Sequence, residues 1–132
     1  MREILFRGKR KDNGEWICGD LLQDVESGIC AIVSYVNLGG NIHDLSESCI
    51  FAVIPETVGQ YTGFTDKSGT KIFEGDIVRY GDTIHNVVFE QRNGTAYFGL
   101  VYSESETLPF GHYQDLRQIE VIGNIYDNGY PF

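Results

Sequence analysis

Short runs of β-branched and aromatic residues alternate along the whole chain with clusters of Gly, Asn, Asp and Ser. The clusters are Asp12-Asn13-Gly14, Glu26-Ser27-Gly28, Gly39-Gly40-Asn41, Asp66-Lys67-Ser68-Gly69, Gly81-Asp82 and Arg92-Asn93-Gly94. Asn and Gly tolerate the positive φ of tight hairpins, so each cluster is a turn with a physical cause. Between them the pattern predicts strands near Ile4–Arg7, Trp16–Leu22, Ile29–Val36, Cys49–Ile54, Gly59–Thr62, Asp76–Tyr80, Ile84–Gln91, Thr95–Val101 and Ile119–Tyr126. Helical spacing is scarce. One helical turn is expected around His112–Leu116, after Pro109 and Gly111.

Closely spaced strands without crossover helices point to an all-β fold. The expectation is a compact, strand-rich single domain over residues 1–132. Pro55 marks a seam between a β-meander, 1–54, and a small SH3-like barrel, 56–132. Neither an internal repeat nor a low-complexity linker is visible, so the two parts are expected to share one core.

Composition agrees with strands and turns: 16 glycines, 13% aromatic residues and a single methionine. A chain of 132 residues buries enough surface to fold without disulfides or metals. No apolar run approaches the roughly 20 residues of a membrane helix, and the start lacks the apolar stretch of a signal peptide. The expected setting is therefore cytoplasmic, with no membrane partner. Cys18, Cys30 and Cys49 are widely spaced in apolar neighbourhoods and read as reduced core thiols.

The net charge of -9 disfavours non-specific binding to nucleic acid. Its distribution is uneven. Arg2, Arg7, Lys9, Arg10 and Lys11 give residues 1–11 a charge of +4, leaving -13 on the remainder. Three readings stay open: a first strand whose basic side chains keep its edge soluble, a basic patch that meets the acidic body of another copy, or a modest contact with nucleic acid.

Reactive constellations were sought next. A calcium loop starting at Asp66 would need Gly and Glu where Lys71 and Ile77 stand, so it fails. Glu74 with Asp76 is the best carboxylate pair for an ion or for acid–base work, yet its glycine-interrupted turn favours solvated carboxylates. His43, His85 and His112 have no metal-site spacing, and His85 reads as a surface or satisfied histidine within a strand. No nucleophile elbow, P-loop or dinucleotide fingerprint occurs. Asn93-Gly94-Thr95 matches a glycosylation sequon and reads better as a hairpin turn.

Three blocks are more specific than any of these: Arg2–Arg7, Gly59–Val78 (GQYTGFTDKSGTKIFEGDIV) and Val121–Asn128 (VIGNIYDN). Together, in this order, they resemble the YopX family, small proteins encoded by phages and prophages. At its end the family tends to run Tyr-x-Asn-Pro, where this chain has Tyr126-Asp127-Asn128-Gly129. The resemblance implies a mostly β fold and a mobile-element context, and it transfers no active site. Within the middle block, Gln60, Tyr61, Thr62, Gly63, Asp66, Gly69, Glu74, Gly75 and Asp76 read as turn-forming and structural residues.

Aromatic residues concentrate in the last third of the chain, and aromatics anchor interfaces efficiently. The uncharged tail Tyr130-Pro131-Phe132 is expected to dock on its own body or on a neighbouring subunit. The sequence as a whole points to a non-enzymatic, phage-related protein that needs no cofactor or metal and acts by binding, as a homo-oligomer. Its candidate interface is Arg2, Arg7, Lys9, Arg10, Lys11, Tyr130 and Phe132. One alternative is a small β-barrel that binds nucleic acid through the basic segment. Another is a metal-assisted hydrolase built on Glu74, Asp76 and a histidine.

Overall fold

The computed structural model describes residues 1–34, 49–110 and 114–131. The fold is all-β, and its chain divides into two compact units, Met1–Gln60 and Tyr61–Phe132. Among the described residues no helix is long and apolar enough to cross a membrane.

Unit 1 contains β1 (Phe6–Lys9), β2 (Trp16–Asp24), β3 (Ile29–Val33), β4 (Ile50–Val53), a 3₁₀ turn (Pro55–Thr57) and the start of β5 (Gly59–Thr65). Strand order is β4-β3-β2-β1-β5, all antiparallel. Strand β2 serves two partners. Its Trp16–Gly19 half pairs with β1 and its Asp20–Asp24 half pairs with β3. Beyond β1 the chain bridges back to β4 at Arg10 and Val53, with Ile54 N–H donating to the Lys9 carbonyl (2.8 Å) and Lys11 N–H to Ala52 (3.0 Å). Unit 1 therefore closes on itself and is more than the open meander expected. Pro55 opens the 3₁₀ turn within this unit rather than ending it, because Thr57 Oγ1 accepts from Lys9 N–H (2.9 Å) and holds the turn against β1.

Unit 2 contains β6 (Lys71–Phe73), β7 (Asp76–Tyr80), β8 (Thr83–Arg92), β9 (Thr95–Ser103), β10 (Glu106–Pro109), a 3₁₀ turn (Leu116–Gln118), β11 (Ile119–Asn124) and the helical turn α1 (Ile125–Asn128). Its five-stranded sheet runs β10-β9-β8-β7-β11. This is the strand order of unit 1 again: four successive strands that are antiparallel neighbours, a 3₁₀ turn, and a last strand that returns beside the first. Strand β8 repeats the device of β2, pairing with β7 through Asn86 and with β9 from Val87 onward. The units thus share a topology that leaves no repeat in the sequence. A strand pattern constrains which faces are buried, and many sequences satisfy it equally well.

Among the described residues, each unit holds a cluster of buried apolar side chains. Cys30, Ile32 and Val53 form the first, with Ile17, Leu21 and Val58 against it. Ile72, Val78, Val87, Leu100, Phe110 and Ile119 form the second. The hairpin at Asn93-Gly94 is as expected, both residues holding positive φ (53° and 80°).

Three local expectations need correction. The last strand stops at Asn124 rather than Tyr126, because Asn124 Oδ1 accepts from Tyr126 N–H (3.0 Å) and Asp127 N–H (2.9 Å) and starts α1. The helical turn anticipated around His112–Leu116 falls partly outside the described residues. The 3₁₀ turn that follows starts at Leu116, capped by Asp115. Cys30 and Cys49 are buried as expected, but Cys18 is exposed. Strand alternation explains it: Ile17 packs on the core, so its neighbour faces outward.

Candidate functional site

The middle and last sequence blocks, distant along the chain, meet in unit 2. Asp66 is their first joint. It is buried, with 7% of its surface exposed. Oδ1 accepts from Ser68 N–H and Thr70 N–H (2.9 Å each), closing the Asp66–Gly69 turn, and Oδ2 accepts from Val121 N–H of β11 (3.0 Å). Burial pushes its pKa up. The N–H groups of Val121, Thr70 and Ser68, with the charge of Lys67, outweigh that and leave it below the ordinary 3.8. Lys67 reinforces the joint through its N–H to the Ile119 carbonyl (2.9 Å) and its Nζ to Glu120 (2.9 Å). Gly69 N–H completes the turn on the Asp66 carbonyl (3.0 Å).

Glu74-Gly75-Asp76 is the second joint. Asp76 is 1% exposed, and its Oδ2 accepts from Phe73 N–H (2.8 Å) across the turn. Of the pair Glu74 and Asp76, expected from sequence to be solvated, Asp76 is buried and bonded to a backbone N–H, while Glu74 is partly exposed. Gly75 donates to the Val87 carbonyl (2.8 Å) and accepts from Ile125 N–H (2.9 Å). It holds φ +93°, and a Cβ there would sit 2.8 Å from Cε2 of Tyr126. Only glycine meets both conditions without strain. Nearer the start of the block, Gln60 pairs with Phe6. Tyr61 is buried 5.7 Å from the Phe73 ring. Thr62 Oγ1 donates to the Ile72 carbonyl (2.8 Å), and Gly63 holds φ +92°.

Around the second joint lies a cleft of about 250 Å³ lined by Glu74, Val87, Phe89, Ile125, Tyr126 and Tyr130 among others. Tyr130 stands on its wall and is 71% exposed. Phe132 lies outside the described residues, as do His43 and His112. His85 is buried and satisfied. A carbonyl can only accept, so its Nδ1–H donates to Val101 (3.0 Å), while Nε2 bonds Thr83 Oγ1 (2.8 Å). Among the described residues no group of three or more His, Cys, Asp and Glu is placed to hold a metal ion.

The basic segment does not protect a sheet edge, the first of the three readings. β1 lies between β2 and β5, so it is not an edge strand. Arg7 and Lys9 lie over the Trp16 ring (4.8 and 5.5 Å to its centroid) and Arg10 over Phe51 (4.4 Å). Arg10 Nε also donates to Asp12 (2.9 Å). Three of the five bases are thus packed on aromatic rings of their own unit, while Arg2 and Lys11 are exposed.

A surface that sequence reasoning missed is the β2–β3 hairpin. Leu22, Val25 and Ile29 are 50%, 81% and 59% exposed, beside a groove of about 400 Å³ lined by Leu21, Leu22, Gln23, Asp24, Ile29 and Ala31. A signal was available, since no Lys or Arg occurs between Lys11 and Lys67. The charged residues of the hairpin itself, Asp20, Asp24 and Glu26, are all carboxylates.

These features carry the sequence blocks of one family into one spatial arrangement. No curated protein matches the chain. Among solved structures, the crystal structure of protein EF1440 from Enterococcus faecalis is similar, with a TM-score of 0.55 and 22% identity over 97% of this chain and 96% of that one. At that identity the likeness concerns the fold. A family model described as YopX protein matches residues 5–130, which takes in the middle and last blocks whole, and on that match the chain belongs to the YopX family.

Proposed function

We propose that this protein is a non-enzymatic binding protein that self-associates, working in a phage-related, cytoplasmic setting. The phage-related setting rests on the family resemblance, and the cytoplasmic one on cysteines that read as reduced thiols. The observation that carries self-association is the exposed apolar hairpin, Leu22, Val25 and Ile29. Monomeric proteins seldom leave contiguous apolar patches uncovered. Its charge selects the partner face. Asp20, Asp24 and Glu26 surround it, and no base follows until Lys67. Two hairpins brought edge to edge would oppose like charges. The basic end of a second copy, with exposed Arg2 and Lys11 and the exposed apolar Ile4, is complementary instead. The contact is head-to-tail, which closes as a ring or extends as a filament. The turn carboxylates Asp66 and Asp76 support a structural role for the middle block, since each has an oxygen committed to backbone N–H groups.

Light scattering at low and high salt tests the proposal. The native protein should exceed monomer mass at micromolar concentration, and Leu22→Asp with Val25→Asp should return it to monomer while leaving its melting temperature unchanged. Each aliphatic side chain fully covered contributes about 1.5–3 kcal/mol, so losing two is decisive. High salt should weaken but not abolish the assembly, because only its charged part is screened. A native protein that is monomeric at both salts refutes self-association.

A further inference from the structure

We infer that the cleft between β8 and α1 in unit 2 receives one cationic side chain, lysine or arginine, from a partner polypeptide other than a second copy of this chain. Size comes first. At about 250 Å³ the cleft falls below the range of sites for whole small molecules and suits a single side chain. Chemistry comes second. Phe89, Tyr126 and Tyr130 bring three aromatic rings, and Glu74 is the one charged residue lining it among the described residues. Rings and a carboxylate together favour a positive charge over a neutral group, and cations over ring faces gain most when partly desolvated. The protein already uses this chemistry internally, with Arg7 and Lys9 on Trp16, Arg10 on Phe51 and Lys71 on Tyr61.

Preorganisation comes third. The floor is held by backbone bonds from Gly75 to Val87 and from Ile125 to Gly75. Asn124 caps α1, and the Tyr126 ring lies against Gly75 where no Cβ intervenes. The walls have room to accept a guest, since Phe89 is 42% and Tyr130 71% exposed. Two of the three blocks that carry the family resemblance therefore converge on this cleft, through Gly75 and Tyr126. The cleft lies within unit 2 and the apolar hairpin within unit 1, so this site and self-association are tested separately.

The test is an amide-resolved NMR titration of the full chain with N-acetyl-arginine amide, and with N-acetyl-citrulline amide as the neutral isostere. Saturable shifts are expected at Gly75, Phe89 and Tyr126, with citrulline weaker by about fivefold or more. Glu74→Gln should narrow that difference, and Tyr130→Ala, at an exposed position, should weaken binding without lowering the melting temperature. Shifts elsewhere only, equal affinity for the two amides, or an unchanged preference in Glu74→Gln would each overturn the site. Native mass by light scattering should be the same for Glu74→Gln as for the unaltered protein. A fall to monomer would mean that the guest is a second copy, and would overturn the assignment to a different partner.

Discussion

Replacing Asp66 tests the reading of the middle block most sharply. The carboxylate accepts three backbone N–H bonds, from Ser68, Thr70 and Val121. Hydrogen bonds to charged groups are worth about 1.5–3 kcal/mol each, and such contributions do not simply add. Ser68 and Thr70 are exposed, so their N–H groups can turn to water in Asp66→Ala, whereas Val121 is only half-exposed on β11. The expected loss is therefore about 3 kcal/mol, a large share of the roughly 5–15 kcal/mol that holds a domain together. Asp66→Asn is the more informative variant. Its carbonyl keeps the turn bonds, but its amide N–H₂ faces the Val121 N–H, two donors together, for a cost of about 2 kcal/mol.

The acid limb supplies a second readout. The folded-state pKa of Asp66 lies below the ordinary 3.8. A carboxyl depressed by folding contributes stability that is complete above its unfolded value and is lost as pH falls through its folded value. The native protein should thus lose stability below about pH 4, and Asp66→Asn should lack that part of the slope. Urea denaturation at a series of pH values measures both effects. A loss under about 1 kcal/mol in Asp66→Ala, or an acid limb in Asp66→Asn that superimposes on the native one, would refute the joint as described.

Three further outcomes are expected. Gly75→Ala must hold φ +93° and push the Tyr126 ring aside, at a cost of about 2 kcal/mol by thermal or urea denaturation; unchanged stability would contradict the close approach. Asn124→Ala removes the cap from Tyr126 and Asp127 and should cost about 1 kcal/mol, while Asn124→Asp keeps most of it. Under native conditions a thiol reagent should modify Cys18 rapidly, and Cys30 and Cys49 only after unfolding. Fast reaction of all three in the folded protein would count against the buried positions of the last two.

Much of the architecture was legible because strand alternation and turn chemistry are local. The Asp76–Tyr80 strand and the Asn93-Gly94 hairpin needed only neighbouring residues to be read. Glu106–Pro109 was missed as a strand, being a short segment whose extended form depends on its partner, Gly99–Ser103. The end of the last strand was also misread, although Asn124 and Gly129 flank α1 as a cap pair and stand in plain sequence.

By itself, then, the sequence determined an all-β chain, its turns, its charge imbalance and its family, all of which depend on residue identity and spacing. Only the tertiary structure decided how those residues are used. It buried the carboxylates of Asp66 and Asp76 on backbone N–H groups, and laid Arg7, Lys9 and Arg10 over aromatic rings. It also showed two units of one topology where no repeat could be read, and left Leu22, Val25 and Ile29 uncovered. The physical reason is common to all of these. Burial and pairing depend on groups far apart in sequence, and a one-dimensional pattern records which side chains are apolar or charged without recording what they meet.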